Sequence, residues 1–499
     1  MKKTAVIGSG FAGLSAAACL AQKGFDVTVF EKNSTPGGRC RKFETDGYLF
    51  DMGPSWYWMP DVFEKFFARF GKKSSDYYQL KRLDPSYRIF YSKNEILDIP
   101  ANLNSLFVLF EKIEKGSGAH LKKFLEEGEY KYKVGMNNLV YKPGLSITEL
   151  FDSKLFLGIF KMHVFQSMAT YVRSHFKDPR LIQLLEFPVL FLGASPSKTP
   201  ALYSLMNYAD IALGTWYPMG GMHKVIEAMI TVAKEQGVKF EFDSPVESFS
   251  MRGDKINQII SRGKSQSFDY VVAGADYHHV EQNLLPPTHR KYTESYWQKR
   301  AMAPSSLIFY LGINKKLKNL LHHNLFFDKD FAQHAKDIYE NPQWPHDPLF
   351  YVCCTSKTDP EVAPEGHENI FILIPVAPGL EDESSIREKY FDLVMQRLED
   401  LTGQTIKENI VFKRSYAHND FKADYNAFKG NAYGLANTIL QTANLKPSIA
   451  NKKVKNLFYT GQLTVPGPGV PPSLISGQVV ADELIKRHHS ESCLKTKTV

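Results

Sequence analysis

The sequence predicts an α/β fold whose main unit is a parallel, Rossmann-type sheet. Residues 4–7 form an apolar run typical of a buried strand, and residues 11–23 have the spacing of a helix with alanines on its packing side. Three glycines lie at the junction between them. A second apolar run, residues 25–30, ends at an acidic residue. This order of strand, glycine turn, helix, strand and acid is the βαβ unit of dinucleotide-binding domains.

Each residue of this unit has a separate expected task. Gly8 makes the tight turn, Gly10 lets the backbone approach a pyrophosphate, and Gly13 lets the helix pack on the strand. The helix N-terminus then faces the phosphates. Glu31 is expected to accept hydrogen bonds from both ribose hydroxyls, with Lys32 beside it as a further candidate contact.

Composition indicates a globular protein of moderate charge. With 499 residues, 43% of them hydrophobic, the chain is long enough for two or three domains at roughly 100 to 200 residues each. The net charge of +8 includes no long tail of one sign, which disfavours nucleic acid as a partner and fits either an anionic membrane surface or an ordinary solvated exterior. The five cysteines are odd in number and include no C-x-x-C pair, so we expect neither a disulfide framework nor a zinc site.

The dinucleotide-binding domain is expected to be discontinuous. Its pieces are residues 1–70, 216–300 and 445–489. Residues 71–215 have apolar residues at helical spacing and predict a helical insert. Residues 301–444 alternate apolar strands with a helix near 384–401, which predicts an α+β substrate domain, and residues 490–499 read as a flexible tail. Because no run of 18 apolar residues occurs, we expect no spanning helix, and we interpret the apolar N-terminus as a strand and helix rather than a signal peptide.

Two further glycine-containing turns follow the second strand. Residues Pro36–Arg39 combine two glycines with an arginine, which suits a second contact with the pyrophosphate through the guanidinium group. An ordinary surface turn is the alternative interpretation. Residues Phe50–Ser55 supply another glycine–proline loop. The candidate contacts in these turns are Gly37, Gly38, Arg39, Gly53, Pro54 and Ser55.

With these motifs and three later ones, the chain resembles the bacterial-type phytoene and carotenoid desaturases among the amine-oxidase-like flavoproteins. The resemblance runs over nearly the whole length. The motifs that carry it are the opening glycines, Pro36–Arg39, Phe50–Ser55, Trp216–Gly221, Ala273–Asp276, and Thr460–Gly461 with Pro466–Pro471.

The resemblance implies that the dinucleotide is FAD. We expect it to be bound noncovalently, since no histidine or cysteine stands in a motif typical of a flavin linkage. The implied contacts with the adenine, the ring system and the ribityl chain are Val246, Asp276, Met219, Gly220, Gly221, Gly461, Val470 and Pro471. The chain departs from the family at Ser55, where a threonine is commoner, and in the Pro-Pro-Ser sequence after Val470. A final helix over residues 473–486 is expected to place its N-terminus at the pyrimidine end of the flavin.

Aromatic residues next to the third turn are candidates for substrate contact. Trp56, Tyr57 and Trp58 follow a flavin-contacting loop and suit a long polyene, although core packing explains them equally well. Residues Lys154–Phe165 mix lysines with bulky apolar residues and predict an interfacial helix, with a core helix as the alternative. We therefore expect a cytoplasmic protein bound peripherally to a membrane surface.

One carboxylate is a candidate for the proton acceptor. Glu149 matches a position where the resembling enzymes carry an acid, but Ser146 three residues earlier makes a helix capping box the favoured explanation. The histidine pairs at 278–279, 322–323 and 488–489 lack a metal-binding spacing, so no metal site is expected.

The function that the resemblance implies is FAD-dependent introduction of C=C double bonds into a carotenoid precursor, with phytoene as the first candidate substrate and a quinone or oxygen as electron acceptor. Three alternatives stay open: a later-acting carotenoid desaturase, a flavin-dependent polyene isomerase or saturase, and a flavin-free prenyl-lipid binding protein. The sequence does not distinguish them because an apolar tunnel discriminates weakly among similar hydrocarbons.

Overall fold

The computed structural model describes residues 1–146, 149, 163, 165–190 and 193–496. The strands are β1 (Lys3–Ile7), β2 (Asp26–Phe30), β3 (Lys42–Thr45), β4 (Tyr48–Asp51), β5 (Leu80–Arg82), β6 (Tyr87–Ser92), β7 (Glu95–Ile99), β8 (Trp216–Pro218), β9 (Lys239–Glu241), β10 (Val246–Arg252), β11 (Lys255–Ser261), β12 (Lys264–Ser267), β13 (Tyr270–Ala273), β14 (Ser305–Ile313), β15 (His323–Phe326), β16 (Phe350–Cys353), β17 (Glu368–Val376), β18 (Ile410–Tyr416) and β19 (Leu457–Tyr459).

The α-helices are α1 (Phe11–Gln22), α2 (Pro60–Ala68), α3 (Leu103–Ile113), α4 (Ser117–Val134), α5 (Met168–His175), α6 (Pro179–Leu190), α7 (Leu205–Asn207), α8 (His223–Glu235), α9 (Tyr277–His279), α10 (Glu294–Gln298), α11 (Phe331–Tyr339), α12 (Ser384–Thr402), α13 (His418–Tyr425) and α14 (Val470–Thr496). None of the described helices is both long and apolar enough to cross a membrane.

A five-stranded parallel sheet in the order β19-β13-β1-β2-β9 forms the dinucleotide-binding unit. Its strands are apolar on both faces because both faces are covered. Val6 and Val272 pack with α1 and α14, whereas Ala5 and Val271 pack with the antiparallel meander β10-β11-β12. The sheet collects strands from widely separated parts of the chain, so this unit is discontinuous as predicted.

A seven-stranded sheet in the order β18-β14-β17-β16-β15-β6-β7 forms the second layer. Its pairings are antiparallel except that of β15 with β6. One face packs on α12, and the other turns Tyr310, Tyr351 and Leu373 toward the rest of the core. The predicted combination of sheet and helix is therefore present.

The stretch 71–215 is not helical throughout. Its helices α3 to α6 agree with the prediction, and Leu106 and Phe110 of α3 are fully buried as expected from their spacing. However, β6 and β7 extend the seven-stranded sheet. Short apolar runs do not distinguish strand from helix, and here pairing with β15 decides the outcome. The predicted interfacial helix over Lys154–Phe165 lies almost wholly outside the described residues.

Candidate active site

The turn between β1 and α1 has the geometry expected of a pyrophosphate cradle. Gly8 has a φ of +92°, and its N–H donates to Phe30 O at 2.8 Å. A Cβ atom at Gly13 would lie 2.0 Å from Gly8 O, so a side chain there would separate the helix from the turn. Helix α1 begins at Phe11 with no side-chain cap, and its first turn lines the main cavity. The uncapped amides of this turn are therefore available to an anion.

The second glycine turn lies directly against the first. Gly37 N–H donates to Ser9 O at 3.0 Å, and a Cβ atom at Gly38 would lie 3.3 Å from Gly10 Cα. Both turns line the same cavity. The surface-turn alternative for Pro36–Arg39 therefore does not describe this segment, which forms the second wall of the cradle.

Arg39 adds an incompletely paired cation to this wall. Its Nη2 donates to Asn431 O at 3.2 Å, while its buried Nε has no hydrogen-bond partner among the described residues. The guanidinium group also lies 5.1 Å from the centre of the Tyr425 ring. Burial lowers its pKa, and the nearby Asp276 opposes that effect. A buried, unpaired N–H beside two glycine turns fits the pyrophosphate of a dinucleotide.

Glu31 lies beside the first glycine turn and lines the cavity, and the sequence motif predicts a ribose contact for it. The side chain is 4% exposed. Its Oε2 accepts hydrogen bonds from Ser9 N and Ser9 Oγ at 2.9 and 2.6 Å, and its Oε1 accepts from Asn33 N at 2.9 Å. These contacts orient the carboxylate, and Ser9 and Asn33 are cavity-lining residues that the motif search did not identify. Val246 lies in the same cavity wall, as expected for an adenine contact.

Lys32 and Asp276 also line the cavity, but the structure gives each an internal role. Lys32 Nζ donates to Asn426 Oδ1 at 3.4 Å, and burial lowers its pKa. Asp276 accepts from the N–H groups of His279 and Phe428, both at 3.2 Å, and burial raises its pKa against the effect of Arg39. Asp276 therefore ties the segment after β13 to the loop that carries Phe428.

Several of the predicted contacts with the flavin ring and the ribityl chain line the cavity next to the glycine turns. Gly53 is held close to the second turn, because a Cβ atom there would lie 2.5 Å from Arg39 O. Gly461 has a φ of +109°, and its N–H donates to Ser476 Oγ at 3.0 Å. Helix α14 begins at Val470, three residues before the predicted start. Pro54, Ser55, Val470 and Pro471 line the cavity beside these glycines.

The predicted contacts Met219, Gly220 and Gly221 do not belong to the cavity lining. Their loop lies behind it. Gly220 N–H donates to Asp359 Oδ2 at 2.6 Å, and the following Met222 N–H donates to Asp51 Oδ2 at 2.7 Å. The loop therefore supports the end of β4, two residues before Gly53, rather than forming the wall itself.

The three predicted aromatic contacts divide between the cavity and the core. Trp56 and Trp58 line the cavity. Trp56 stacks on His323 with ring centroids 4.1 Å apart, and Trp58 Nε1 donates to Thr215 Oγ1 at 2.9 Å. Tyr57 is 0% exposed, and its hydroxyl lies 2.9 Å from that of Tyr78. Tyr57 is therefore a core residue, as the packing alternative supposed.

Beyond the dinucleotide end, the cavity has apolar walls. Its volume is about 380 Å³, and this part is lined by Pro188, Met206, Ile308, Leu373, Tyr351 and Tyr433. A second cavity of about 50 Å³ shares Tyr351, Leu373 and Tyr433 with it and extends toward Phe331 and Ala335 of α11. The second cavity therefore adjoins the apolar part of the main cavity, on the same side of the seven-stranded sheet. Sequence reasoning missed this lining because its residues come from several elements and carry no local motif.

Glu149 lies outside both cavity linings. Its carboxylate accepts hydrogen bonds from the N–H groups of Gly144, Leu145 and Ser146 at 2.8, 2.9 and 3.0 Å. Three backbone donors on one carboxylate hold the local turn. This geometry favours the capping explanation over that of a proton acceptor.

Comparison with known proteins agrees with this site. Residues 11–485 match the family described as flavin containing amine oxidoreductase. The carotenoid 3,4-desaturase of Haloarcula japonica is 41% identical over 96% of this chain and 97% of that protein. The ζ-carotene-forming phytoene desaturase of Myxococcus xanthus is 32% identical over 98% and 95% of the two chains.

A solved structure shows the same fold at low sequence identity. The crystal structure of an oxidoreductase from Methanosarcina mazei has a TM-score of 0.62 at 16% identity, covering 96% of this chain and all of that one (100%). The glycine cradle, the buried Arg39 Nε without a partner among the described residues, and the match over residues 11–485 agree with one another. The chain therefore belongs to the carotenoid desaturases of the flavin-containing amine oxidoreductase family and is an FAD-dependent oxidoreductase.

Proposed function

We propose that this protein introduces C=C double bonds into a carotenoid. The observation that carries the proposal is the apolar, aromatic-lined part of the cavity that holds the dinucleotide site, next to which a second apolar cavity reaches Phe331 and Ala335. A long hydrocarbon fits such a space, whereas a small polar substrate finds few partners in it. The relatives named as carotenoid desaturases support the same chemistry.

FAD, when bound, supplies the hydride acceptor for this dehydrogenation. The protein itself positions the cofactor and the substrate, and it excludes water from the site. The glycine turns and Arg39 hold the pyrophosphate, and the N-terminus of α14 directs partial positive charge toward the cavity near Val470. Trp56 and Trp58 form the wall next to Pro54, where the substrate chain would lie against the cofactor.

The proposed substrate is phytoene, and a later carotenoid is the second candidate. The second candidate is favoured by one observation, since identity with the carotenoid 3,4-desaturase is 41% compared with 32% for the phytoene desaturase of Myxococcus xanthus. The cavity residues do not distinguish phytoene from a later carotenoid, because apolar walls discriminate weakly among hydrocarbons.

One assay separates the candidates. The flavin-loaded protein is incubated anaerobically with phytoene and a quinone, and in parallel with a later carotenoid, and products are identified by absorbance and mass. Loss of hydrogen pairs from phytoene with matching quinone reduction supports the proposal. Conversion only of the later carotenoid assigns the later step, and a mass-neutral product assigns an isomerase. Turnover in air without quinone identifies oxygen as the acceptor. A colourless protein that binds prenyl lipids would identify a carrier.

We also propose that the protein binds the cytoplasmic surface of a membrane to reach its substrate. Leu145, Leu440 and Leu445 are 37%, 76% and 56% exposed. Asn444 donates to Ser146 O, which joins the turn that carries Leu145 to the segment that carries Leu445. Exposed apolar side chains grouped in this way are typical of membrane-contacting surfaces.

Flotation with anionic liposomes tests the membrane proposal. The parent is expected to float with the vesicles, and a Leu440→Glu, Leu445→Glu variant is expected to stay in the soluble fraction. Val411→Glu is the matched control, because Val411 is 54% exposed but lies on β18. Equal flotation of all three proteins, or none by the parent, would contradict this surface.

A further inference from the structure

Three side chains of types that bind metals, His322, His323 and Cys353, lie together next to the cavity-lining Trp56. His323 of β15 and Cys353 of β16 are direct cross-strand partners, and His322 immediately precedes β15. One ligand atom from each of the three lies within 4.8 Å of the other two. Because opposite residues of paired strands project to the same face, the backbone ladder itself holds His323 and Cys353 together.

Both imidazoles are oriented by a hydroxyl group and present an unpaired nitrogen. His322 Nδ1 lies 2.7 Å from Thr358 Oγ1, and His323 Nδ1 lies 2.6 Å from the Tyr351 hydroxyl. The Nε2 atom of each ring is buried with no hydrogen-bond partner among the described residues. When Nδ1 donates to the hydroxyl oxygen, Nε2 carries the lone pair. Imidazoles that bind metals are oriented by such a second bond.

The cluster is shielded from water. The exposed fractions of His322, His323 and Cys353 are 4%, 0% and 2%. Buried nitrogens without partners are uncommon in folded proteins and call for an explanation.

A small cavity beside the cluster leaves room for a further ligand. Its volume is about 20 Å³, and it is lined in part by Cys353, Ser55 and Tyr217. The ring of Tyr217 lies 4.6 Å from that of His322. Such a volume holds about one water molecule.

We propose that His322, His323 and Cys353 bind one zinc ion, with a water molecule from the small cavity as the fourth ligand. Two imidazoles and one thiolate form a ligand set that Zn²⁺ accepts in tetrahedral geometry. On binding, the Cys353 S–H bond breaks, an S–Zn bond forms, and the proton passes to solvent; no electron is transferred. The proposal does not depend on the identity of the carotenoid.

The ion would act as a positioning element for the wall of the active site. His323 stacks on Trp56, and its bonding partner Tyr351 lines the main cavity and donates to Ser55 Oγ at 3.0 Å. Fixing the His323 ring therefore fixes two cavity-lining aromatic side chains. The sequence alone predicts no metal site, because the histidine pairs lack a metal-binding spacing. His322, His323 and Cys353 come together only through the pairing of β15 with β16.

The test uses the flavin-loaded protein, exposed to Zn²⁺ and then dialysed against a weak chelator. The parent is expected to retain one zinc per chain, to release a proton on binding, and to melt at higher temperature with zinc than without. Cys353→Ser is expected to lose the retained zinc and the zinc-dependent shift. Cys354→Ser is the matched control, because Cys354 is equally buried but contacts Glu368 and Ser356 instead.

Spectroscopy keeps the proposal falsifiable if a cysteine variant folds poorly. With Co²⁺ in place of Zn²⁺, the parent is expected to show thiolate-to-cobalt absorption, and His322→Gln is expected to weaken cobalt retention at least tenfold. A parent without stoichiometric zinc, or without thiolate-to-cobalt absorption, would overturn the proposal. Equal zinc retention in the parent and Cys353→Ser would show binding elsewhere and would overturn it as well.

Discussion

Gly38 lies against Gly10, so that a Cβ atom at Gly38 would come within 3.3 Å of Gly10 Cα. Residues 28 positions apart thus form a single cradle with uncapped helix amides on one side and Arg39 on the other. A side chain at position 38 would therefore crowd the first turn, and the positive φ of Gly38, +54°, also favours glycine there.

Gly10→Val is expected to give a folded, colourless protein. A Cβ atom at Gly10 meets nothing closer than 3.9 Å, so the fold tolerates it, but the added methyl groups enter the space of the pyrophosphate. The ratio of flavin to protein absorbance measures the effect. Gly135→Ala is the control, because its Cβ atom would make an ordinary 3.7 Å contact with Leu205. Full flavin absorbance in Gly10→Val would show that the pyrophosphate lies elsewhere.

Glu149→Gln is expected to keep the rate of product formation per bound flavin within a few-fold of the parent. Its carboxylate accepts hydrogen bonds from three backbone N–H groups and does not line the cavity. The substitution is therefore expected to destabilise the local turn rather than to slow the reaction. The expected cost is on the order of 1 kcal/mol in the free energy of unfolding, as for other capping contacts. Rates with phytoene and thermal melting are compared. A rate loss of a hundredfold or more with unchanged melting would return Glu149 to the role of proton acceptor.

The contribution of Asp210 to the stability of the protein is expected to fall as pH rises through the range of about 4 to 7. Burial raises the pKa of this carboxyl to about 7, against hydrogen bonds from Tyr87 and Thr215. The folded state therefore keeps a proton that the unfolded state loses near pH 4, and stability declines until the folded carboxyl also ionises. The contribution of Asp210 is at most about 4 kcal/mol.

Asp210→Asn removes this titration. Melting temperatures of parent and variant are compared at pH 5 and pH 8. The parent is expected to lose more stability than the variant between the two values, because the asparagine carries no charge at either. Identical pH dependence in both proteins would show that Asp210 does not titrate in this range.

Ala335→Leu is expected to obstruct the second cavity. Ala335 is 8% exposed and lines the second cavity, which adjoins the main one, so a larger side chain is expected to reduce the room for a long hydrocarbon that enters it. We expect a rise in KM for phytoene of severalfold, with unchanged flavin content. Lys336→Leu, a change at an exposed neighbour, serves as the control. Unchanged kinetics in Ala335→Leu would mean that the substrate does not extend toward α11.

The residues of the site were predictable where the function requires a particular backbone conformation, or a close approach of the backbone, within one short segment. The glycines of the two turns, the strand that ends at Glu31, and Gly53 and Gly461 are required by the conformation or close approach of their own segments, and each lines or supports the cavity. Such demands act over a few residues and therefore leave a readable pattern. Met219–Gly221 were predicted as flavin contacts from a family motif. Their position in the structure depends instead on contacts of their loop with Asp359 and Asp51, which belong to other segments.

By itself, the sequence determined the βαβ unit, the dinucleotide cradle and the family, because periodicity and glycine placement follow from local geometry. The tertiary structure alone decided that β6 and β7 join the second sheet, that Tyr57 is core while Trp56 faces the cavity, and that His322, His323 and Cys353 meet. These outcomes depend on strand pairings between segments far apart in the chain, and the free energy of such pairings arises from packing that no short stretch of residues encodes.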